Sequence, residues 1–267
     1  NLYRFSALNA QAQLIYTNNV PSECFRGFGS PQSAFAQEQL IDELAEQLRI
    51  DPIELRRRNA VQPGDTTLHG WQVGSCGFND CLDAIKDRIQ THRRENPMPT
   101  SDRYRFGYGI AGATHAISNR GYDHRFDRDM MSLAVEPNGV LRIESGEVEI
   151  GCGTVDLFAG IVADHLELDR ERIRLVLGDT ATVPHGLGCF ASRTAFFGGR
   201  AALDASRRFA QLCGRLAIDI GLPADTAIAS VIEAAVTANR TMELRVTGSY
   251  EPDHVTVPDE SGYGNIS

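Results

Sequence analysis

The chain has 267 residues, 42% of them hydrophobic, enough to bury a core in one large or two small domains. A formal charge of −9 and a pI near 5.3 argue against a surface built to neutralise phosphates, so no nucleic-acid partner is expected. No apolar run approaches the roughly 18 residues of a membrane span, and NLYRFSALNAQ lacks a basic segment followed by an apolar one, so no membrane is expected and the default location is cytoplasmic. Six scattered cysteines (Cys24, Cys76, Cys81, Cys152, Cys189 and Cys213) show neither a disulfide framework nor a zinc spacing. They read as free thiols in a reducing compartment, with Cys152 a case apart.

In chain order, Ser30 and Pro31 read as an N-cap and first helical position, and Ala36, Leu40, Leu44 and Leu48 recur at helical spacing, which predicts a helix over 31–49. DPIEL repeats the start signal, with Asp51 as cap, Pro52 at the first position and Glu54 at the capping-box position. A short helix carrying Arg56, Arg57 and Arg58 follows. VQPGDTTLHG breaks it. An amphipathic helix is expected over 79–92, and RRENPMPTSD reads as a linker, so a boundary near residue 100 divides 1–100 from 101–267.

Beyond it, RYRFGYGIAGA and MMSLAVEPNGVLRIESGEVEI carry strand-like runs, with PNG as a hairpin turn between Val135 and Val140. GCG opens a helix over 154–167, RIRLVLG is a strand, helices follow over 199–220 and 224–238, and a strand lies near 241–250. Strand, turn, helix and strand in that order mark an α/β arrangement, and the whole reads as α+β, or mixed α/β. No internal repeat or low-complexity tract interrupts it.

Three glycine turns invite a ligand. GYGIAG, residues 107–112, matches G-x-G-x-x-G, but the following ATHAISNRGYDH has no helical apolar stripe, so it reads as a glycine-rich strand. EIGCGTVDLF, residues 149–158, does lie between a strand and a helix. Free N–H groups there suit an anionic or amide-bearing ligand, although two glycines can equally serve the turn alone. In GLGCFASRTAFFGG, residues 186–199, Ser192 and Thr194 could cap the following helix, and Arg193 makes an anion site conceivable.

FRGFGSPQ, FAQEQLIDELAEQLRIDPIELRRRN, GDTTLHGWQ, EIGCGT, VLGDTATVP and FASRTAFFGG, in this order through residues 16–204, resemble the molybdopterin-binding subunit of the xanthine dehydrogenase and aldehyde oxidase molybdenum hydroxylases. The resemblance implies two helix-and-sheet subdomains of a molybdopterin-binding domain, each incomplete, with RGFG in 1–100 and the GCG and ASRT turns in 101–267. It implies Arg26 beside the metal in a catalytic and cofactor-binding place, and Phe28 with Phe25 against a flat substrate. Gly151, Cys152, Gly153, Ala191, Ser192, Arg193 and Thr194 would bind the cofactor. No side chain would ligate the metal directly, since the pterin dithiolene holds it. The chemistry agrees: a guanidinium donates to anionic groups, and a phenyl face packs on a planar ring.

The sequence departs from the family at three points. Cys152 stands where glutamine is usual, and a thiol lacks the amide's paired donor and acceptor. The G-x-G-E motif that carries the general base, and the glycine-phenylalanine pterin motif before RGFG, do not occur. The expectation is therefore the middle of a molybdopterin subunit, inactive alone, that supplies one wall of the site in an enzyme oxidising an aldehyde or N-heterocycle with oxygen from water. Molybdenum-molybdopterin is the implied cofactor, with the cytosine dinucleotide form as one option. Iron–sulfur and flavin (FAD) groups on partner chains or domains, the rest of the subunit and a small planar substrate are the implied partners. The alternative is a non-catalytic α+β interaction module that keeps the fold without the glutamate.

Overall fold

A computed structural model describes residues 2–9, 11–21, 25–68, 72–96, 103–115, 117 and 127–252. Cys24, Trp71, most of the 93–102 linker and the chain after 252 lie outside them. The chain divides into two compact units, one within residues 1–115 and one within 116–255.

The first unit is built on three helices, α1 (Ser30–Leu48), α2 (Pro52–Asn59) and α3 (Phe78–Glu95). Asp51 caps α2, accepting from the amides of Ile53 at 2.9 Å and Glu54 at 3.0 Å. Ser30 does not cap α1. The helix opens one residue earlier than that role requires, from Gly29 at φ 89°, with Ser30 already inside the first turn and its Oγ 3.2 Å from His115 Nδ1. Glu54 turns to Arg58 Nε at 2.8 Å instead of closing a capping box.

Arg56 is the tie of this unit. Its side chain is fully buried, and it donates to Glu38 Oε2 at 2.9 Å, Asp42 Oδ1 at 2.7 Å and the carbonyl of Ile110 at 2.9 Å. Glu38 also accepts from Tyr3 Oη at 3.1 Å and from the amide of Gly112 at 2.8 Å. Burial and the Glu38 carboxylate push the Tyr3 phenol well above its ordinary value. These bonds tie the segment 103–115 into the first unit, so the division falls after residue 115, beyond the proline-containing stretch that suggested a boundary near 100.

The second unit is a four-stranded mixed sheet in the order β3-β2-β1-β4, formed by β1 (Asp129–Val135), β2 (Leu141–Ser145), β3 (Ile173–Leu177) and β4 (Arg245–Tyr250). The PNG turn joins β1 and β2 as an antiparallel hairpin in which Leu133 faces Ile143, with Gly139 at φ 83°. The helix α4 (Thr154–Leu166) carries the chain over to β3, which pairs parallel to β2. Two further helices follow, α5 (Gly199–Asp219) and α6 (Ile228–Thr237).

Met131, Leu133, Leu141 and Ile143 on one sheet face pack with Phe158 and Val162 of α4, Phe209 of α5 and Ile232 of α6 to make the core. Gly248 of β4 lets α5 lie against the sheet: a Cβ there would overlap the backbone of Ala205 and stand 2.8 Å from the Ala201 carbonyl oxygen. On the opposite face polar pairs take over. Glu144 holds Arg142 at 2.7 Å and Arg245 at 2.5 Å, and Ser132 meets Thr247 at 2.8 Å. The fold is α+β with a mixed sheet, built from six helices and four strands among the described residues.

Candidate functional site

In the first unit, the RGFG stretch forms back-to-back turns. Phe28 N donates to Phe25 O at 3.0 Å, Ser30 N donates to Gly27 O at 2.9 Å, and Gly27, Phe28 and Gly29 all have positive φ. Gly27 is obligatory, since a Cβ there would lie 2.6 Å from Pro31 Cδ. The turns leave Arg26 exposed, with the Phe25 and Phe28 side chains at 69% and 72% exposure. Phe28 is therefore not a core residue. A phenyl ring held in the left-handed region and presented outward is costly unless something uses it.

In the second unit, two segments far apart in sequence meet. The GCG turn lies between β2 and α4, and the loop 186–194 runs into a π-helical turn, Thr194–Gly198, that leads to α5. Thr154 Oγ1 lies 3.0 Å from Cys152 Sγ and 3.5 Å from Cys189 Sγ, and the two sulfurs are 3.9 Å apart. Gly146 and Gly186 permit the crossing, because a Cβ on Gly146 would stand 2.6 Å from Gly186 N. Next to it lies an open cavity of about 510 Å³ lined by Val148, Thr180, Pro184, His185 and Leu187 among others.

The amides that open α4 already have an acceptor. Glu149 Oε1 accepts from Gly151 N at 2.6 Å and Gly153 N at 3.2 Å, and Oε2 accepts from Val155 N at 3.3 Å. Partial desolvation raises its pKa, but donation from the amides of Gly153, Val155, Gly151 and Cys152 outweighs it and holds the carboxyl below the usual range. The turn is thus an open backbone face rather than a vacant anion hole. Gly151 (φ 90°) and Gly153 (φ 79°) have nothing within 4 Å of where a Cβ would project, which suits close approach by a flat group. Cys152 Sγ keeps company with Thr154 and Cys189.

Arg193 does not reach solvent. Its side chain is 0% exposed and bonds Glu147 Oε1 at 2.8 Å and the Arg128 carbonyl at 2.5 Å, with Asp129 Oδ2 at 3.6 Å. Its guanidinium also lies over the rings of Phe190 and Phe197, at 5.5 Å and 5.3 Å. The charge that suggested an anion site neutralises buried carboxylates instead. Nor do Ser192 and Thr194 cap α5: Thr194 Oγ1 donates to Glu147 Oε2 at 2.8 Å, and α5 follows directly from the π turn with no side-chain cap bond. Arg193 and Thr194 together fix the loop, and Ala191 (φ 45°) and Ser192 (φ 53°) are held at its tip in the left-handed region.

Three carboxylates that the sequence reading did not single out organise this site. Glu147 and Glu149 flank Val148 just ahead of the turn, and Asp129 opens β1. Burial, then hydrogen bonding and charge from Glu147, push the Asp129 carboxyl up to about 7, against the pull of Met130 N and Arg193. For Glu147 and Glu149 the one sequence signal is the spacing in EVEIGCG, two acids just before a glycine turn that opens a helix; Asp129 carries none. Among the described residues no group of three or more His, Cys, Asp or Glu is placed to hold a metal ion.

The glycine-faced turn and the strained loop fit a flat cofactor reached through backbone, and comparison with known proteins points the same way. Models of the molybdopterin cofactor-binding domain match residues 84–266 and 1–60. A xanthine dehydrogenase molybdenum-binding subunit of Escherichia coli O157:H7 is 29% identical over 77% of this chain and 27% of its own length. An aldehyde oxidoreductase of Megalodesulfovibrio gigas is 27% identical over 79% of this chain and 23% of its own. The solved aldehyde oxidoreductase from Desulfovibrio gigas shares the fold, with a TM-score of 0.68 and 24% identity over 90% of this chain and 25% of that one. The chain spans about a quarter of the length of these relatives.

Proposed function

The chain belongs to the molybdopterin cofactor-binding domain family, and on that premise we propose that it forms one wall of the cofactor and substrate site of a molybdenum hydroxylase of xanthine dehydrogenase or aldehyde oxidoreductase type. The observation that supports it is the meeting of the GCG turn with the 186–194 loop, two segments 37 residues apart at their cysteines, on one glycine-faced surface. When bound, the molybdenum cofactor would supply the two-electron oxidation of an aldehyde or N-heterocycle, with oxygen drawn from water.

The chain's own residues bind and orient. Gly151 and Gly153 would admit the pterin to the backbone, with Cys152 between them holding the turn through Thr154. Ala191 and Ser192 would approach from the loop tip, which Arg193 and Thr194 position through Glu147. Arg26 would donate charge-assisted hydrogen bonds on the metal side, and Phe28, with Phe25 near it, would offer a ring face to a planar substrate. The general base, the rest of the pterin contacts and the iron–sulfur and flavin groups that take the electrons would come from the remainder of the subunit and from partner chains. The cytosine dinucleotide is one option for the cofactor's form, and the assembled enzyme would work in the cytoplasm.

Replacing Arg26 and Phe28 separately in the assembled enzyme tests the assignment. Arg26→Ala is expected to lower turnover by about 2–4 kcal/mol of transition-state stabilisation, the loss typical of one oxyanion-type donor. Phe28→Ala should raise KM for planar heterocycles more than for small aliphatic aldehydes. Because neither side chain packs into this chain's own core, each variant should keep its thermal stability within about 0.5 kcal/mol. A Phe28→Ala enzyme that is destabilised but unchanged in substrate preference contradicts the reading.

A further inference from the structure

Cys152 and Cys189 are the only two described cysteines with an Sγ–Sγ approach within hydrogen-bonding range, at 3.9 Å, and they sit on the two segments whose meeting defines the site. We propose that they form a reversible disulfide that clamps the GCG turn to the 186–194 loop. The sulfurs must close to about 2.05 Å. The backbone on both sides can yield: Cys152 stands between Gly151 and Gly153, and Cys189 follows Gly188, all three glycines in the left-handed region.

The two thiols differ in the way a thiol pair needs. Cys152 is exposed, and the hydrogen bond with Thr154 draws its pKa below the ordinary thiol value. Cys189 is half-buried and burial pushes its pKa up; it donates to the Val148 carbonyl at 2.6 Å and lies 3.2 Å from Glu147 Oε2. Glu149 faces Cys152 and Glu147 faces Cys189, while Thr154 touches both sulfurs and Thr194 bonds Cys189 at 3.1 Å. Cys152 is the attacking sulfur and Cys189 the resolving one. Cys213, by contrast, is buried with its thiol pushed up to about 12 by burial, and is inert.

With hydrogen peroxide as oxidant the steps balance. The Cys152 thiolate attacks one peroxide oxygen, the O–O bond breaks, hydroxide leaves and takes up the proton Cys152 had lost, and a sulfenic acid remains. The Cys189 sulfur then attacks Cys152 Sγ, the S–O bond breaks, and water leaves with the Cys189 proton. Two thiols and one peroxide give one disulfide and two waters. Closing the sulfurs from 3.9 Å would draw the turn and the loop together on the face proposed to take the cofactor, so oxidation would hinder loading. That consequence rests on the cofactor reading above; the bond itself does not.

The test uses the full-length protein, reduced, then treated with hydrogen peroxide, alkylated with iodoacetamide and digested with trypsin. Cleavage after arginine leaves Cys152 in residues 143–170 and Cys189 in residues 175–193, so the bond appears as a joined pair of peptides that dithiothreitol separates. Cys189→Ser should instead accumulate dimedone-reactive sulfenic acid at Cys152, and Cys152→Ser should abolish the joined pair. Recovery of Cys189 fully alkylated while Cys152 goes on to sulfinic acid would overturn the bond. Molybdenum uptake by cofactor-free assembled enzyme should fall after oxidation and recover with dithiothreitol. A joined pair with unchanged uptake would overturn the loading control and leave the bond standing.

Discussion

Asp129 is the residue whose chemistry is most at odds with its surroundings, since it is buried beside Glu147, with Arg193 the cation that meets the two among the described residues. Its carboxyl rises from 3.8 to about 7, so the folded state holds its proton where the unfolded chain has lost it. The stability this adds is full below the unfolded value and is lost as pH rises through about 7. Asp129→Asn keeps the neutral shape at every pH. Urea midpoints of wild type relative to this variant should therefore decline from about pH 4 to about pH 7 and level off above. A difference that is flat across that window would show that Asp129 titrates normally. None of this was legible in the sequence. Asp129 and Arg193 are 64 positions apart by their numbers, Glu147 reaches Arg193 over a separation of 46, and only the fold brings the three together. The same distance hid the approach of Cys189 to Cys152. Arg193, by contrast, was visible as a charge beside small residues, and the sequence misled only about its direction, because nothing local says which side of a loop is buried.

Elements were easier to read than residues, because their signals are local. Asp51 and Pro52 mark the start of α2, PNG marks the hairpin, and the apolar stripe of α4 follows its glycine turn in both sequence and structure. The start of α1 differed for a local reason too. Gly29 in the left-handed region turns the chain into the helix, so Ser30 is drawn inside and its hydroxyl is spent on His115. What the pattern could not give was the sheet order, with β4 from the far end of the unit pairing beside β1, nor the close seating of α5 on β4 over Gly248. That seating is testable. Gly248→Ala should destabilise the second unit by about 1–3 kcal/mol, since the new methyl meets backbone that cannot rotate away. An unchanged denaturation midpoint would mean that α5 stands off from the sheet.

At the scale of the whole molecule, the apolar side chains left exposed along α1, among them Phe35 and Leu40, fit a face that other protein would cover. The residues proposed to face cofactor and substrate are turns rather than charged pockets, which suits a wall completed by other segments. Family membership was legible because six motifs keep their order. Which side chains serve the ligand and which hold the loop was legible only once Glu147, Glu149 and Arg193 were seen in place. If the open glycine face holds the molybdenum cofactor, the metal content of the assembled protein should depend on it, which the double variant Gly151→Asn with Gly153→Asn measures. Asparagine tolerates the left-handed conformation, so the turn should persist while its open face is filled. Wild type should hold stoichiometric molybdenum, and a variant that still assembles with unchanged circular dichroism should lose it; a correctly folded variant that retains full molybdenum would mean that the glycine face does not hold the cofactor.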